Sequence, residues 1–212
     1  MAEETRPSVA PGALRNSRPA RDSETVARRK RMIDSAVELA VIGGYEAVQM
    51  RDVAARAEVA IGTLYRHYPS KDHLLLAALG EQATALRERL AQRPPEGTGA
   101  AARTTDVLRR ASRALTRRPE LTAALVTALS SPESDTAGSK QDVEEILRAI
   151  ITAAIDGAEI NDPDGVVRTL GYVWLAVLSA WVSGTLDTHQ MTADLETAAG
   201  LLLDHPSADA TS

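Results

Sequence analysis

The densest run of reactive side chains in this 212-residue chain is VAIGTLYRHYPSKDHLL, residues 59–75. Tyr65, Arg66, His67 and Lys71 place a phenol, a guanidinium, an imidazole and an ammonium group between apolar positions. Such a set can pack a core, build a catalytic site or grip a polyanion. Catalysis and metal chemistry find little support elsewhere. The four histidines stand at positions 67, 73, 189 and 205. Only His67 and His73 are neighbours, six residues apart across Pro69, which is poor spacing for metal ligands. No HExxH, GxSxG, P-loop or dinucleotide fingerprint occurs. The absence of cysteine excludes disulfides, zinc–thiolate sites and a cysteine nucleophile. The expectation is a non-enzyme with no metal and no cofactor.

Charge favours the polyanion. The net charge of −5 hides an asymmetry: residues 1–75 hold 12 Lys/Arg and 10 Asp/Glu, whereas residues 76–212 hold 12 and 19. A mildly basic front on an acidic back suits a small polyanion-binding module on a carrier domain.

Several helices must position these residues. The chain is 44% hydrophobic and lacks Phe. Its core must come from Ala, Leu, Val, Ile and two tryptophans, a composition that favours helix. Residues 1–22, with Pro7, Pro11 and Pro19, read as a disordered arm ending in Arg15, Arg18 and Arg21. A first helix is expected over 25–42, stopped by Gly43-Gly44. Short helices follow over 51–57 and 61–68, joined by Glu58-Val59-Ala60. Ser70 caps a long helix that ends near Arg93. Five more are expected over 101–117, 119–130, 137–157, 163–186 and 191–204. The fold class is all-α, about nine helices: a three-helix unit over 23–75, a larger helical domain over 76–205, and a disordered tail over 206–212. Residues 169–186 carry no charge. A helix buried on two faces accounts for them better than a membrane span. No secretory signal is visible, and a reducing, cytoplasmic location is expected.

Two short helices with a three-residue link, braced by a longer one in front, form a helix-turn-helix, whose second helix enters the DNA major groove. Gly62 leaves room for close backbone approach, and Thr63 offers a short hydroxyl. Tyr65 and Arg66 lie on the exposed face, whereas Leu64 and Tyr68 point inward. Lys71 adds charge near a phosphate at a helix N-terminus. The run ARRKR, residues 27–31, can supply an accessory phosphate contact.

MRDVAARAEVAIGTLYRHYPSKDHL, residues 50–74, resembles the signature of TetR-family transcriptional repressors. The resemblance implies that Arg51, Ala60, Gly62, Thr63, Tyr65, Arg66 and Lys71 touch DNA, with His67 beside the backbone. It also implies a homodimer on a palindromic double-stranded operator, released by a small molecule. One departure is Glu58, where many members have Gly. RRPELTAA and VWLAVLSAW extend the similarity toward KstR-type repressors of sterol catabolism, which respond to a steroid side chain on coenzyme A. An acyl or steroid coenzyme A effector is therefore expected. A multidrug-type sensor of the same fold is the alternative. A structural DNA-binding protein without effector would need a more basic chain.

The back domain suggests where partners sit. Along 163–186, Leu170, Trp174, Val177 and Trp181 form one apolar face. Val173, Ala176, Ala180 and Gly184 form a second, of mostly small residues. The last helix carries Leu195, Ala198, Ala199 and Leu202. A two-fold dimer through these two helices is the simplest account, with Val173, Ala176, Ala180, Gly184, Leu195, Ala199 and Leu202 at the interface. Trp174 and Trp181 are candidate ligand walls. Arg109 and Arg113, on a stripe that continues to Arg117, are candidates for a charged ligand head.

Overall fold

The computed structural model describes residues 18–132 and 136–204, with side chains from residue 23. Residues 1–17 of the expected arm and the expected tail lie outside the described residues. In chain order the helices are α1 (Arg18–Ala47), α2 (Met50–Arg56), α3 (Ile61–His67), α4 (Lys71–Gln92), α5 (Ala100–Thr116), α6 (Pro119–Ser130), α7 (Ala137–Ile155), α8 (Pro163–Val182) and α9 (Thr188–Leu203). No strand occurs among the described residues, and the class is all-α as expected.

Helix α1 begins at Arg18, seven residues before the expected Thr25. Pro19 is no obstacle in a first turn, where its missing N–H has no partner to lose. The Gly43-Gly44 break is real: Gly43 (φ −149°, ψ 25°) and Gly44 (φ 66°, ψ −155°) leave helical geometry within the α1 span. Helices α8 and α9 meet at a tighter junction than expected. Helix α8 stops at Val182, and the amide N–H groups of Gly184 and Thr185 donate to the carbonyls of Trp181 and Ala180 at 3.0 and 2.9 Å. With Gly184 at φ 74°, this is a Schellman cap. Chain reversal therefore requires glycine at 184, where the residue is exposed on the subunit.

The turn between α2 and α3 uses the same device. Glu58 N–H donates to Ala55 O at 3.2 Å and Val59 N–H to Ala54 O at 3.0 Å. Glu58 occupies the left-handed position at φ 55°, the one non-glycine positive φ among the described residues. This is the physical reason glycine suits the position. Holding a side chain there costs about 1–2 kcal/mol, and glycine returns about half of the gain in unfolded-state entropy. Glu58→Gly should therefore raise stability by roughly 0.5–1 kcal/mol, a melting-temperature gain of about 2 °C. A lower melting point in calorimetry would show that the Glu58 carboxylate makes a compensating interaction.

One continuous apolar core joins the two halves, from Met32, Val53 and Leu64 in front to Leu125, Ile151, Leu170 and Met191 behind. Helix α4 is the shared beam, packed against α1, α6 and α7. Its start is fixed at three points. Ser70 Oγ accepts the His73 amide. The buried Asp72 carboxylate accepts Tyr45 Oη at 2.6 Å. Lys71 Nζ stands 3.7 Å from the Tyr45 ring centre.

Candidate DNA-reading surface and effector cavity

Helix α3 divides cleanly into two sides. Leu64 and, just beyond the helix, Tyr68 are buried, and Ile61, Gly62, Tyr65 and Arg66 are exposed, with Thr63 and His67 intermediate. A Cβ added at Gly62 would meet nothing within 4 Å. The fold itself does not demand glycine there, so the openness is available to whatever approaches α3. Ala60 is the N-cap residue of α3 and Arg51 is exposed on α2.

Charge from α1 reaches the same surface. Burial first, then the positive charges of Arg29, Arg66 and Arg28, hold the His67 imidazole below its ordinary value of 6.5. The shift disfavours the charged imidazolium at this surface. Within the ARRKR run, Arg28 pairs with Glu24 at 2.6 Å, Lys30 with Asp34 and Glu81, and Arg31 reaches Ala57 O at 3.4 Å. Arg29 is exposed and makes no ion pair with a described carboxylate; its guanidinium stands beside the Tyr68 hydroxyl. Lys71 is more engaged than expected. Besides the Tyr45 ring, its ammonium donates to Tyr45 O at 3.4 Å and stands 3.7 Å from the Glu46 carboxylate. It belongs to the α1–α4 joint as well as to the surface.

Behind this unit lies a cavity of about 540 Å3 enclosed by α4, α5, α6, α7 and α8. Its walls are apolar: Leu86, Leu108, Leu125, Val143, Ile151 and Leu178 among others. Trp174 lines it and hydrogen-bonds through Nε1 to Ser112 Oγ at 3.3 Å. Charged lining residues gather on α7 and α8: Lys140, Glu144, Arg148, Asp164 and Arg168. Neither Trp181 nor the two candidate arginines line it. Trp181 shares the Trp174 face but sits seven residues on, about 10 Å along the axis. There it packs half-buried against the core.

Arg109 and Arg113 line a separate groove between α4 and α5. Their positions follow from the turn of α5, whose Val107, Leu108, Ala111 and Leu115 face the cavity. Arg109 is also committed elsewhere. The buried Asp106 carboxylate accepts from Arg109 and Arg110, each at 2.6 Å, and from the Glu96 amide at 3.0 Å. Burial alone would raise the Asp106 carboxyl, but these three donors outweigh it and hold it below its ordinary range.

Among the described residues no three His, Asp or Glu side chains gather as metal ligands. The arrangement offers instead an exposed helix with a cationic flank, joined by one beam to an apolar chamber. The family model described as "Bacterial regulatory proteins, tetR family" matches residues 32–78, and that described as "Tetracyclin repressor-like, C-terminal domain" matches residues 97–202. The HTH-type transcriptional repressor KstR of Mycolicibacterium smegmatis is 36% identical over 177 residues, 83% of this chain and 87% of that protein. The chain belongs to the TetR family of transcriptional repressors. A TetR transcriptional regulator from Rhodococcus sp. RHA1 superposes with a TM-score of 0.73 at 33% identity, covering 85% of this chain and 97% of that one. The transcriptional regulator FadR of Bacillus subtilis, solved with stearoyl-CoA, has a TM-score of 0.62 at 21% identity over 82% of this chain and 97% of that one, a likeness of fold.

This TetR-family repressor has a helix-turn-helix for DNA, and dimers and ligand binding are typical of its family. Its α8 and α9 faces sort differently from the sequence expectation. Leu195 and Ala199 are buried within the subunit, where α9 lies on α5 and α8. Leu202 is half-buried against the same core. Leu195 and Ala199 are already covered and have no free surface for a second copy, a correction to the expected interface, whereas Leu202 keeps part of its surface. Outward on α8 are Tyr172 at 66% exposure and Ala176, with Val173 and Ala180 partly covered; outward on α9 is Leu201 at 64%. Sequence reasoning missed Lys140, Arg148 and Arg168. Val143, Leu147, Ile150 and Ile151 make a legible apolar stripe on α7, flanked by Lys140 and Arg148, but the stripe does not show what it faces.

Proposed function

We propose that this repressor binds a near-palindromic double-stranded operator as a homodimer and is released when an acyl group, carried as a coenzyme A ester, fills the cavity. The α3 helices of the two copies enter successive major grooves. Tyr65 and Lys71 contact phosphate, Thr63 and Arg66 meet base edges, and Arg51, Ala60, Gly62 and His67 lie along the backbone. The dimer forms through the outward face of α8, with Val173, Ala176 and Ala180, and the outward face of α9 around Leu201. The site of action is the cytoplasm, where the DNA is.

The observation that carries the reading is the largely apolar cavity of about 540 Å3, whose wall includes α4, the helix that starts at the reading surface. A protein that only shapes DNA needs no such chamber. The walls suit an acyl chain or fused rings, and Lys140, Arg148 and Arg168 stand where a charged carrier would remain. The FadR structure with stearoyl-CoA supports the ligand class. The ligand must favour the arrangement that cannot hold both half-sites, since equal affinity for two states shifts nothing.

The test uses genomic fragments selected by the wild-type protein. Tyr65→Ala should weaken binding to all of them and to competitor DNA alike, by roughly tenfold, with a flatter salt dependence. Steroid and straight-chain acyl coenzyme A esters should release the wild-type complex. If Tyr65→Ala binds as tightly as wild type in mobility-shift titrations, the contact assignment fails. If uncharged hydrophobic drugs release DNA and no ester does, the repressor is a multidrug-type sensor.

A further inference from the structure

Half of the positive charge behind the reading unit is collected in one place. Residues 76–212 hold 12 Lys/Arg against 19 Asp/Glu. Six of those cations, Arg89, Arg93, Arg109, Arg110, Arg113 and Arg117, line a groove of about 610 Å3 between α4 and α5, where the carboxylates are Glu96 and Asp106. Three of the arginines are held. Arg93 pairs with Glu96 at 2.9 Å, and Arg109 and Arg110 pair with Asp106. Arg110 also donates to the carbonyls of Arg93 and Pro94 at 2.8 and 3.3 Å. Arg89, Arg113 and Arg117 make no ion pair with a described carboxylate. Three like-charged pairs stand four residues apart, 89 with 93, 109 with 113, and 113 with 117. The middle pair lies wholly within α5 and costs it a few tenths of a kcal/mol; the other two end on the C-cap residues Arg93 and Arg117. An acidic domain has gathered cations where they repel one another.

We propose that this groove binds an organic polyphosphate: a small molecule of nucleoside size bearing two or more phosphate groups. Guanidinium forks match phosphate oxygens two at a time, and those fixed by Asp106 and Glu96 are already oriented. The volume is that of a small-molecule site. Leu86, Leu90 and Ala114 in its lining give a flat apolar group a place to rest. The operator is not the occupant, because Arg89–Arg93 lie about 30 Å along α4 from Lys71. A lipid surface is not either: the exposed large apolar residues, such as Val26, Ile42, Tyr172 and Leu201, all stand elsewhere. The site goes beyond the function proposed above, since it needs nothing in the cavity. The two spaces do share one wall residue, Leu86. The same phosphate chemistry can therefore arrive as a free nucleotide or as the carrier end of the cavity's own ligand.

Calorimetric titration with adenosine 3′,5′-bisphosphate and with pyrophosphate tests this on the full chain. Both should bind saturably, and more weakly as salt rises. Inorganic phosphate should bind about tenfold more weakly or worse. Arg113→Glu with Arg117→Glu should lower bisphosphate affinity about tenfold or more, with the ligand-free melting temperature falling by no more than a few degrees, because relieved repulsion is offset by the loss of two cations from the C-terminal end of α5. Arg113→Lys with Arg117→Lys should fall between. No saturable binding at millimolar bisphosphate, or binding indifferent to the charge reversal, overturns the proposal whatever happens at the cavity. A second arm separates the sources. If the charge reversal also weakens an acyl coenzyme A ester but not the free fatty acid, the groove takes the carrier. If bisphosphate still binds at saturating ester, it takes a separate nucleotide.

Discussion

Ala176→Arg is expected to sediment as a monomer and to lose operator affinity by roughly a hundredfold to ten-thousandfold, the range in which joining two binding modules amplifies affinity. Helix α8 is long and apolar enough by length and composition to cross a membrane, yet only 22% of its most apolar window is buried in the subunit. Its inner face, Leu170, Trp174, Val177 and Leu178, is satisfied by the core. The outer face, with Tyr172 at 66% exposure, is not. A second copy related by a two-fold axis covers it with no new element. Ala176 is the better site than Ala180 for the inserted charge, since Ala176 is exposed in the subunit and Ala180 is partly covered. An arginine at 176 therefore costs the isolated fold little, and circular dichroism should show unchanged helix content. Retention of the dimer by analytical ultracentrifugation would remove this face from the interface.

The sequence was most legible where one residue has one local job. Ser70 reads as a cap and is one. Leu64 and Tyr68, four apart, read as the inner side of α3 and are buried. Glu58 stood out as a departure, and the left-handed backbone there supplies its reason.

Legibility failed where a residue type has two possible neighbours. The stripe of Leu195 and Ala199 is real, but periodicity shows that a face is apolar and not which helix covers it; here α5 and α8 of the same chain do. Arg109 reads as a candidate for a charged ligand head because nothing in the sequence shows that Asp106, three residues before it, is buried and needs a counter-ion. Trp181 shares a helix face with Trp174, but the cavity ends between them, and the end of a cavity is a tertiary fact. The charged residues lining the cavity were missed for the same reason: α7 and α8 must be placed together before Lys140 and Arg168 are seen to share an opening.

Gly171→Trp should give a repressor that acyl esters remove only at much higher concentration. Gly171 lies on the cavity side of α8 with Val167, Trp174, Leu175 and Leu178, and a Cβ added there meets nothing within 4 Å. The indole can enter space that is already open. If it denies the ligand room for three methylene groups, at about 0.8 kcal/mol each, the ester concentration for half-release rises roughly fiftyfold. Operator affinity without ligand should stay near wild type, because α3 is untouched. Stability offers an independent reading. Gly171→Leu removes a mid-helix glycine, worth about 0.5–1 kcal/mol, and buries part of an apolar side chain, so it should gain about 2 kcal/mol in all. For a chain of this size that is a melting-temperature rise of about 4–8 °C. A drop in melting temperature for Gly171→Leu would mean that the space at Gly171 is not the cavity. A rise for Gly171→Leu, combined with unaltered ester release in Gly171→Trp, would mean that the cavity is real but the effector acts elsewhere.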